Sequence, residues 1–282
     1  MRVLDTVTGE FVWFIVPEIR TYAIVSHVWH PHGEQSFQEL AEIQRDVKTK
    51  SQSQSRAGTA KDIAHAPPAA PLTIPCAILS DPRVSDKVRN ACAVAVSHGY
   101  RYLWLDSCCI DKTSSAELSE AINSMYGWYA SAEICFVYLA DEMIAPAQVL
   151  FLSRDWRVFG SKASLEDLIE DITGVERGVL NHTKALNTVS VARRMWWAHQ
   201  RTTTRVEDEA YSLMGIFGIH MSPIYGEGGN AFIRLQQEIL RTTPGQSIFV
   251  WGPKLRQVDN ITEDEHLRED KSLRNFNLEL GL

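Results

Sequence analysis

Several polar side chains with chemical potential stand where hydrophobic segments of this chain stop. Residues 22–25 (YAIV) give way to Ser26, His27, Val28, Trp29 and His30. Tyr102–Leu105 gives way to Asp106, Ser107, Cys108 and Cys109, with Asp111 and Lys112 just beyond. Residues 134–139 end at Asp141 and Glu142, and residues 148–152 at Ser153, Arg154, Asp155 and Trp156. Ser26, His27 and Trp29 supply a hydroxyl, an imidazole and a ring, groups that could contact a nucleotide; a structural corner built on a buried tryptophan is the equal alternative. Asp106 and Asp111 could bind ribose hydroxyls, although holding loops through backbone N–H groups is the favoured use. Cys108 or Cys109 would act as a nucleophile with His27 only with a lowered thiol pKa, and core packing is the expected use. No His/Cys spacing follows a zinc pattern. Gly226-Glu-Gly-Gly229 ahead of a helix could offer N–H groups to a phosphate, and a plain turn explains it at least as well.

The elements that must position these groups are legible in the pattern. Short apolar runs rich in branched and aromatic residues predict buried strands. Ser85 predicts a helix over 86–98, with Val88, Ala91, Cys92 and Ala95 inward and Gly99 ending it. Ser114 and Glu117 fit a capping box, and Leu118, Ile122, Met125 and Tyr129 make one apolar stripe after it. Strand, crossover helix and strand, with both strands apolar throughout, predict an α/β fold on a parallel sheet covered on both faces. Ligands of such sheets bind beyond the carboxyl ends of the strands, which is where the polar residues above fall. Residues 3–15 predict a hairpin or edge strands, and 37–44 a turn or two of helix.

Residues 45–71 are rich in Ser, Gln, Lys, Ala and Pro and lack aromatics. Such a segment buries too little apolar surface to offset its ordering entropy, so a flexible insertion is expected there. Helices are predicted over 164–172, 190–199, 206–217 and 230–240, and a last strand over 247–251. The resulting division is an α/β domain over 1–156 carrying the insertion, a helical region over 157–251, and a polar tail over 252–282. The link from Leu139 to Gln148 is short and contains Pro146, whereas parallel neighbours need a crossover of about a dozen residues. Either those two strands are not parallel neighbours, or one sheet face lacks its usual cover.

Composition excludes some classes. The 282 residues are 45% hydrophobic and 22% charged, with a formal net charge of −7. These are globular proportions without the basic footprint of a nucleic-acid binder. No run reaches membrane-span length, and the first twenty residues do not read as a signal peptide. Five cysteines, an odd number, argue against a disulfide framework. A cytoplasmic location is the default, which makes the sequons at Asn181 and Asn260 chance matches.

Several motifs together resemble the fungal heterokaryon-incompatibility (HET) domain. They are Tyr22-Ala-Ile-Val-Ser-His-Val-Trp29, Tyr102-Leu-Trp-Leu-Asp-Ser-Cys-Cys-Ile-Asp-Lys112 and Ala116-Glu-Leu-Ser-Glu-Ala-Ile-Asn-Ser-Met125. Arg193-Arg-Met-Trp-Trp-Ala198, Thr203-Thr-Arg-Val-Glu-Asp-Glu-Ala-Tyr211 and the segment from Tyr225 to Gln236 resemble the region that follows that domain. The resemblance implies a nonself-recognition effector that promotes growth arrest or programmed cell death, working through protein partners or self-association. It also implies a TIR-like, flavodoxin-type sheet. Some TIR domains cleave NAD at the nicotinamide bond with one glutamate, and Glu142 aligns with it. A carboxylate there could stabilise an oxocarbenium-like centre or orient water; a solvated loop glutamate is the plainer reading. NAD is then a possible substrate, and no resident cofactor is implied. Family members usually carry Ser-Arg-Trp and then Arg-Gly-Trp-Thr-Leu-Gln-Glu-Leu-Ile-Ala-Pro between the third and fourth strands. Here only Glu142-Met-Ile-Ala-Pro146 remains, so an inactive remnant is a further alternative.

Overall fold

A computed structural model of the chain describes residues 1–15, 21–30, 32–57, 76–138, 144–199 and 203–243. Its strands are β1 (Arg2–Asp5), β2 (Phe11–Trp13), β3 (Ala23–His27), β4 (Tyr102–Leu105), β5 (Ile134–Tyr138), β6 (Val149–Leu152) and β7 (Val158–Ser161). They form one sheet in the order β2-β1-β4-β3-β5-β6-β7. The four central strands, β4, β3, β5 and β6, are parallel to one another. Counted among themselves they run 2-1-3-4, the order of a flavodoxin-type sheet. The expected parallel sheet is therefore present, but β1, β2 and β7 join it antiparallel, which makes the whole sheet mixed. β1 and β2 are the hairpin anticipated near the N-terminus. β7 was not legible, because four residues with an exposed Val158 and Phe159 lack the buried pattern of the other strands.

Helices cover both faces. Side chains alternate along a strand, and the register pairs Ile24 with Trp104 but Val25 with Phe136. Trp104, fully buried, packs edge-on against Trp128 and Tyr129 of α4 (Ser115–Ser131) at 5.6 and 5.9 Å. Phe136 meets His98, just past α2 (Asp86–Ser97), at 5.2 Å. The two crossover helices thus lie on opposite faces, and each large side chain buried between them contributes roughly 1.5–3 kcal/mol. α2 forms as its sequence dictates. Ser85 accepts a hydrogen bond from the Val88 N–H at 3.3 Å, and Val88, Ala91, Cys92 and Ala95 are the buried face. Gly99 then turns the chain toward β4 with φ of +83°, a conformation natural to glycine.

At α4 only half of the capping box is made. Ser114 accepts from the Glu117 N–H, but the Glu117 carboxylate accepts from Arg2 at 2.7 and 3.1 Å and from the Asp111 N–H at 2.8 Å. Glu117 therefore ties the N-terminal strand to the loop after β4. Gly127 lies exposed in the middle of α4 with nothing near a would-be Cβ. Gly127→Ala is expected to stabilise the chain by about 0.5–1 kcal/mol in urea titration, by restricting the unfolded chain and improving helix propensity.

Two expectations need correction. α1 runs from Phe37 to Ala57, so residues 45–57 are helical, where a flexible insertion was expected to begin. Its first turns are anchored by Leu40, Ile43 and Gln44, all buried, and the Lys, Gln and Arg that follow are good helix formers once a helix is nucleated. The rest of that insertion, 58–71, lies outside the described residues, as do the expected strand over 247–251 and the tail. Over 206–217 there is not one helix but two short ones, α8 (Asp208–Tyr211) and α9 (Met214–Phe217), interrupted at Ser212 and Leu213.

The short link is resolved in favour of parallel neighbours. Cys135 pairs with Val149 and Tyr138 with Leu152, and the described part of the link, 144–148, is not helical. The cover comes from downstream. α5 (Glu166–Thr173) and α6 (Arg177–Leu180) place Ile169, Val179 and Leu180 in the same core as Val149 and Leu152. The buried Lys162 donates to the Pro146 carbonyl at 2.6 Å and the His182 ring meets the Ile144 carbonyl at 3.1 Å, fixing the link from outside. A second apolar cluster holds residues of α7 (Val191–Trp196), α8, α9 and α10 (Asn230–Thr242). It meets the first through Tyr126, Ile144 and Leu186, which pack against both.

Candidate functional site

His27 closes β3 and Asp106 follows β4 directly, so the parallel pairing sets them side by side at the carboxyl end of the sheet. His27 Nε2 lies 2.8 Å from Asp106 Oδ1, and Trp29 Nε1 donates to Asp106 Oδ2 at 2.9 Å. The other ring nitrogen, Nδ1, is 3.3 Å from Lys87 Nζ. The ionised Asp106 carboxylate can only accept, so Nε2 carries the hydrogen given to it, and Nδ1 also lies 3.3 Å from the Val28 carbonyl. Lys87, in the first turn of α2, also donates to the Val28 carbonyl at 3.1 Å and pairs with Glu34, which in turn accepts from the His30 N–H at 2.8 Å. His27 and Lys87 together thus tie two strand ends and a helix start to Val28, His30 and Glu34.

Lys112 completes the cluster from the loop after α3 (Asp106–Cys109). Its Nζ sits 3.5 Å from the Trp29 ring centroid and, among the described residues, has no hydrogen-bond partner although it is buried. Burial pushes its ammonium pKa down, against the pull of the Asp106 charge. Burial likewise pushes the Asp106 carboxyl up, but the bond and charge of His27, the Lys112 charge and the Trp29 bond together hold it below the usual carboxylate value. Next to His27 in the register stands Tyr138, the last residue of β5. Its ring stacks on Trp156 at 4.3 Å and 13°, and Lys87 Nζ lies 5.9 Å from its centroid. The strand order reverses between β3 and β5, the crevice position in open α/β sheets.

Of the residues singled out by sequence, the structure brings His27, Trp29 and Asp106 together. The His27 side chain is only 1% exposed, so it holds the rim in shape, whereas Trp29 is 45% exposed. Ser26 is buried one residue earlier on β3 and so belongs to the opposite face of the sheet. Asp111 turns toward α1: it accepts from Gln38 at 2.5 Å and from the Thr113 N–H and hydroxyl at 2.9 and 2.6 Å. Glu142 lies outside the described residues. Lys112 and Trp156 had been noted only as members of strand-end clusters, and Glu34, Lys87 and Tyr138 were not anticipated. Lys87 and Glu34 carry no local signal, while Tyr138 and Lys112 stood within segments already singled out.

The heterokaryon incompatibility protein (HET) family matches residues 22–200, a span that contains every residue of this rim. The chain belongs to the HET family. Vegetative incompatibility protein HET-E-1 of Podospora anserina is 40% identical to the HET chain over 186 residues. That alignment covers 55% of this chain and 14% of the relative, so the chain spans a small part of that protein's length. A domain of unknown function (DUF8212) matches residues 230–279. No solved structure matches the chain. Among the described residues no helix is long and apolar enough to cross a membrane.

Two further sequence features of the HET chain have structural explanations. The N–H groups of Gly226 and Gly228 are taken by Glu207, whose Oε1 lies 2.7 and 3.1 Å away. The chain's own carboxylate thus fills the position a phosphate would need. Cys92, Cys108 and Cys109 are buried free thiols, Cys135 is buried in β5, and Cys76 is half-buried. The hydrogen bond to Cys109, with burial, pushes the Cys108 thiol pKa well up, the wrong direction for a nucleophile. In native protein a thiol reagent is expected to label Cys76 well before the other four, which should react only as the chain unfolds. Rapid labelling of Cys108 or Cys109 would contradict the packing described.

Proposed function

We propose that this HET chain is an effector of fungal vegetative incompatibility, converting nonself recognition into growth arrest or programmed cell death. The observation that carries the reading is the 40% identity over 186 residues to a vegetative incompatibility protein, beside a family match over 22–200 that contains the rim. The rim around Trp29, Asp106 and Lys112 is its proposed output surface. It combines an exposed ring with charges held in place by buried partners, so its shape does not depend on a ligand to form it. Protein partners or self-association in the cytoplasm would act through that surface. NAD is its candidate small-molecule ligand, since the rim lies at the reversal of strand order and carries the stacked Tyr138 and Trp156.

Inducible expression of the chain in a fungal host tests the role. The expected result is arrested growth within the induction period. Normal growth with abundant, folded chain would overturn it. Incubation of purified chain with NAD, following nicotinamide release, tests the ligand separately: release lost in Glu142→Gln would make the output enzymatic, and no release would leave it to partner contacts.

A further inference from the structure

We propose that the cavity between the β1–β2 hairpin and α1 is a binding site for a small anion carrying a flat ring, the chemistry of a mononucleotide. The cavity measures about 550 Å³, within the range of small-molecule sites. Phe37, Ala41, Arg45 and Lys48 of α1 line it, and their spacing of four, four and three puts them on one helix face. Phe11 of β2 and Asp111 of the loop before α4 also line it.

Each wall offers a different chemistry. The Phe11 and Phe37 rings lie 5.2 Å apart at 45°, giving one apolar end against which a planar ring can pack. Arg2 stiffens that end: its guanidinium is 3.8 Å from the Phe37 centroid and is held by both oxygens of Glu117, so it is not free for a ligand. Toward the other end of the helix stripe stand two cations. Arg45 is exposed and has no ion-pair partner among the described residues. Lys48 reaches Glu10 at 3.0 Å, but the two side chains are 51% and 40% exposed, a contact of little strength that a ligand oxyanion can replace. Ala41 is the small residue between the rings and the cations, and its size leaves the cavity open. Asp111 presents a carboxylate at the cavity wall, held in place by Gln38 and Thr113.

This site is separate from the rim. Asp111 and Thr113 line the cavity while Lys112 between them goes to the Trp29 ring. The inference does not rest on the incompatibility reading.

The test titrates AMP, adenosine and inorganic phosphate into the full 282-residue chain by isothermal titration calorimetry, in wild type, Arg45→Glu and Ala41→Leu. AMP is expected to bind at least about tenfold more tightly than adenosine or phosphate, and each substitution to weaken AMP by at least about tenfold. Both variants should keep an unfolding temperature within about 3 °C of wild type, because the first alters an exposed side chain and the second points into open space. No heat from AMP at millimolar concentration, or AMP affinity unchanged in either folded variant, would overturn the site.

Discussion

Asp106→Ala is expected to destabilise the chain by about 2–3 kcal/mol, the largest loss of any rim substitution. Removing one partner of a buried charged group costs about 3–5 kcal/mol because the other is left uncompensated. The Asp106 side chain is 24% exposed, which lowers that figure through solvent screening. Three groups lose their partner at once: the His27 N–H, the Trp29 N–H and the Lys112 ammonium. The same carboxylate should make stability pH-dependent. Its folded-state pKa is depressed, so the stabilisation is complete above the unfolded-chain value of about 3.9 and is lost as pH falls through the lower folded value. Asp5 shifts in the same direction: burial raises its pKa, but the Thr8 and Val7 N–H groups and Arg101 lower it further. Urea titrations of wild type and Asp106→Ala at pH 7 and near pH 3 check both statements. The gap between the two proteins should shrink at the lower pH. A constant gap would mean that Asp106 acts by packing and not by charge.

Gly215→Ala should cost about 3 kcal/mol or more, from a single added methyl. A Cβ at that position of α9 would stand 2.2 Å from the Tyr126 Cβ and 2.4 Å from its Cγ. Those atoms are close to the α4 backbone and cannot swing aside, so the helices must move apart, and such overpacking typically costs 1–3 kcal/mol or more. Tyr126 packs against both apolar clusters, so the damage falls where the sheet domain meets the helical region. The same substitution at Gly127, one residue along α4, meets nothing and is expected to stabilise. Thermal or urea unfolding of the pair distinguishes them: opposite signs support the packing described, and a loss under about 1 kcal/mol at Gly215 would contradict it.

Much of the fold was legible because local signals and burial agreed. Ser85 and Gly99 bracket α2, and its four inward residues follow from helical spacing alone. The parallel core followed from Tyr102–Leu105 and residues 134–139, two runs with no polar face. What sequence missed was set by distant partners. α1 continues past residue 45 because its start is anchored in the core, a fact that composition over 45–57 does not carry. Glu117 answers Arg2, 115 residues away, instead of its own cap. At the rim, strand ends marked His27, Trp29 and Asp106, but nothing local joins Lys87 or Glu34 to them. Those two reach the rim only when α2 and Glu34 come together over the same sheet edge. The family resemblance added what periodicity could not, the identity as a HET chain, which the match over 22–200 bears out.

The proposal that the rim carries the incompatibility output is tested most directly by Trp29→Ala in the inducible fungal expression assay. Trp29 is 45% exposed, so its removal should leave the core folded while stripping the ring from Lys112 and one bond from Asp106. The account expects wild-type chain to arrest growth and Trp29→Ala chain, at equal abundance and with a cooperative unfolding transition, to permit it. Undiminished arrest by the folded variant would contradict it.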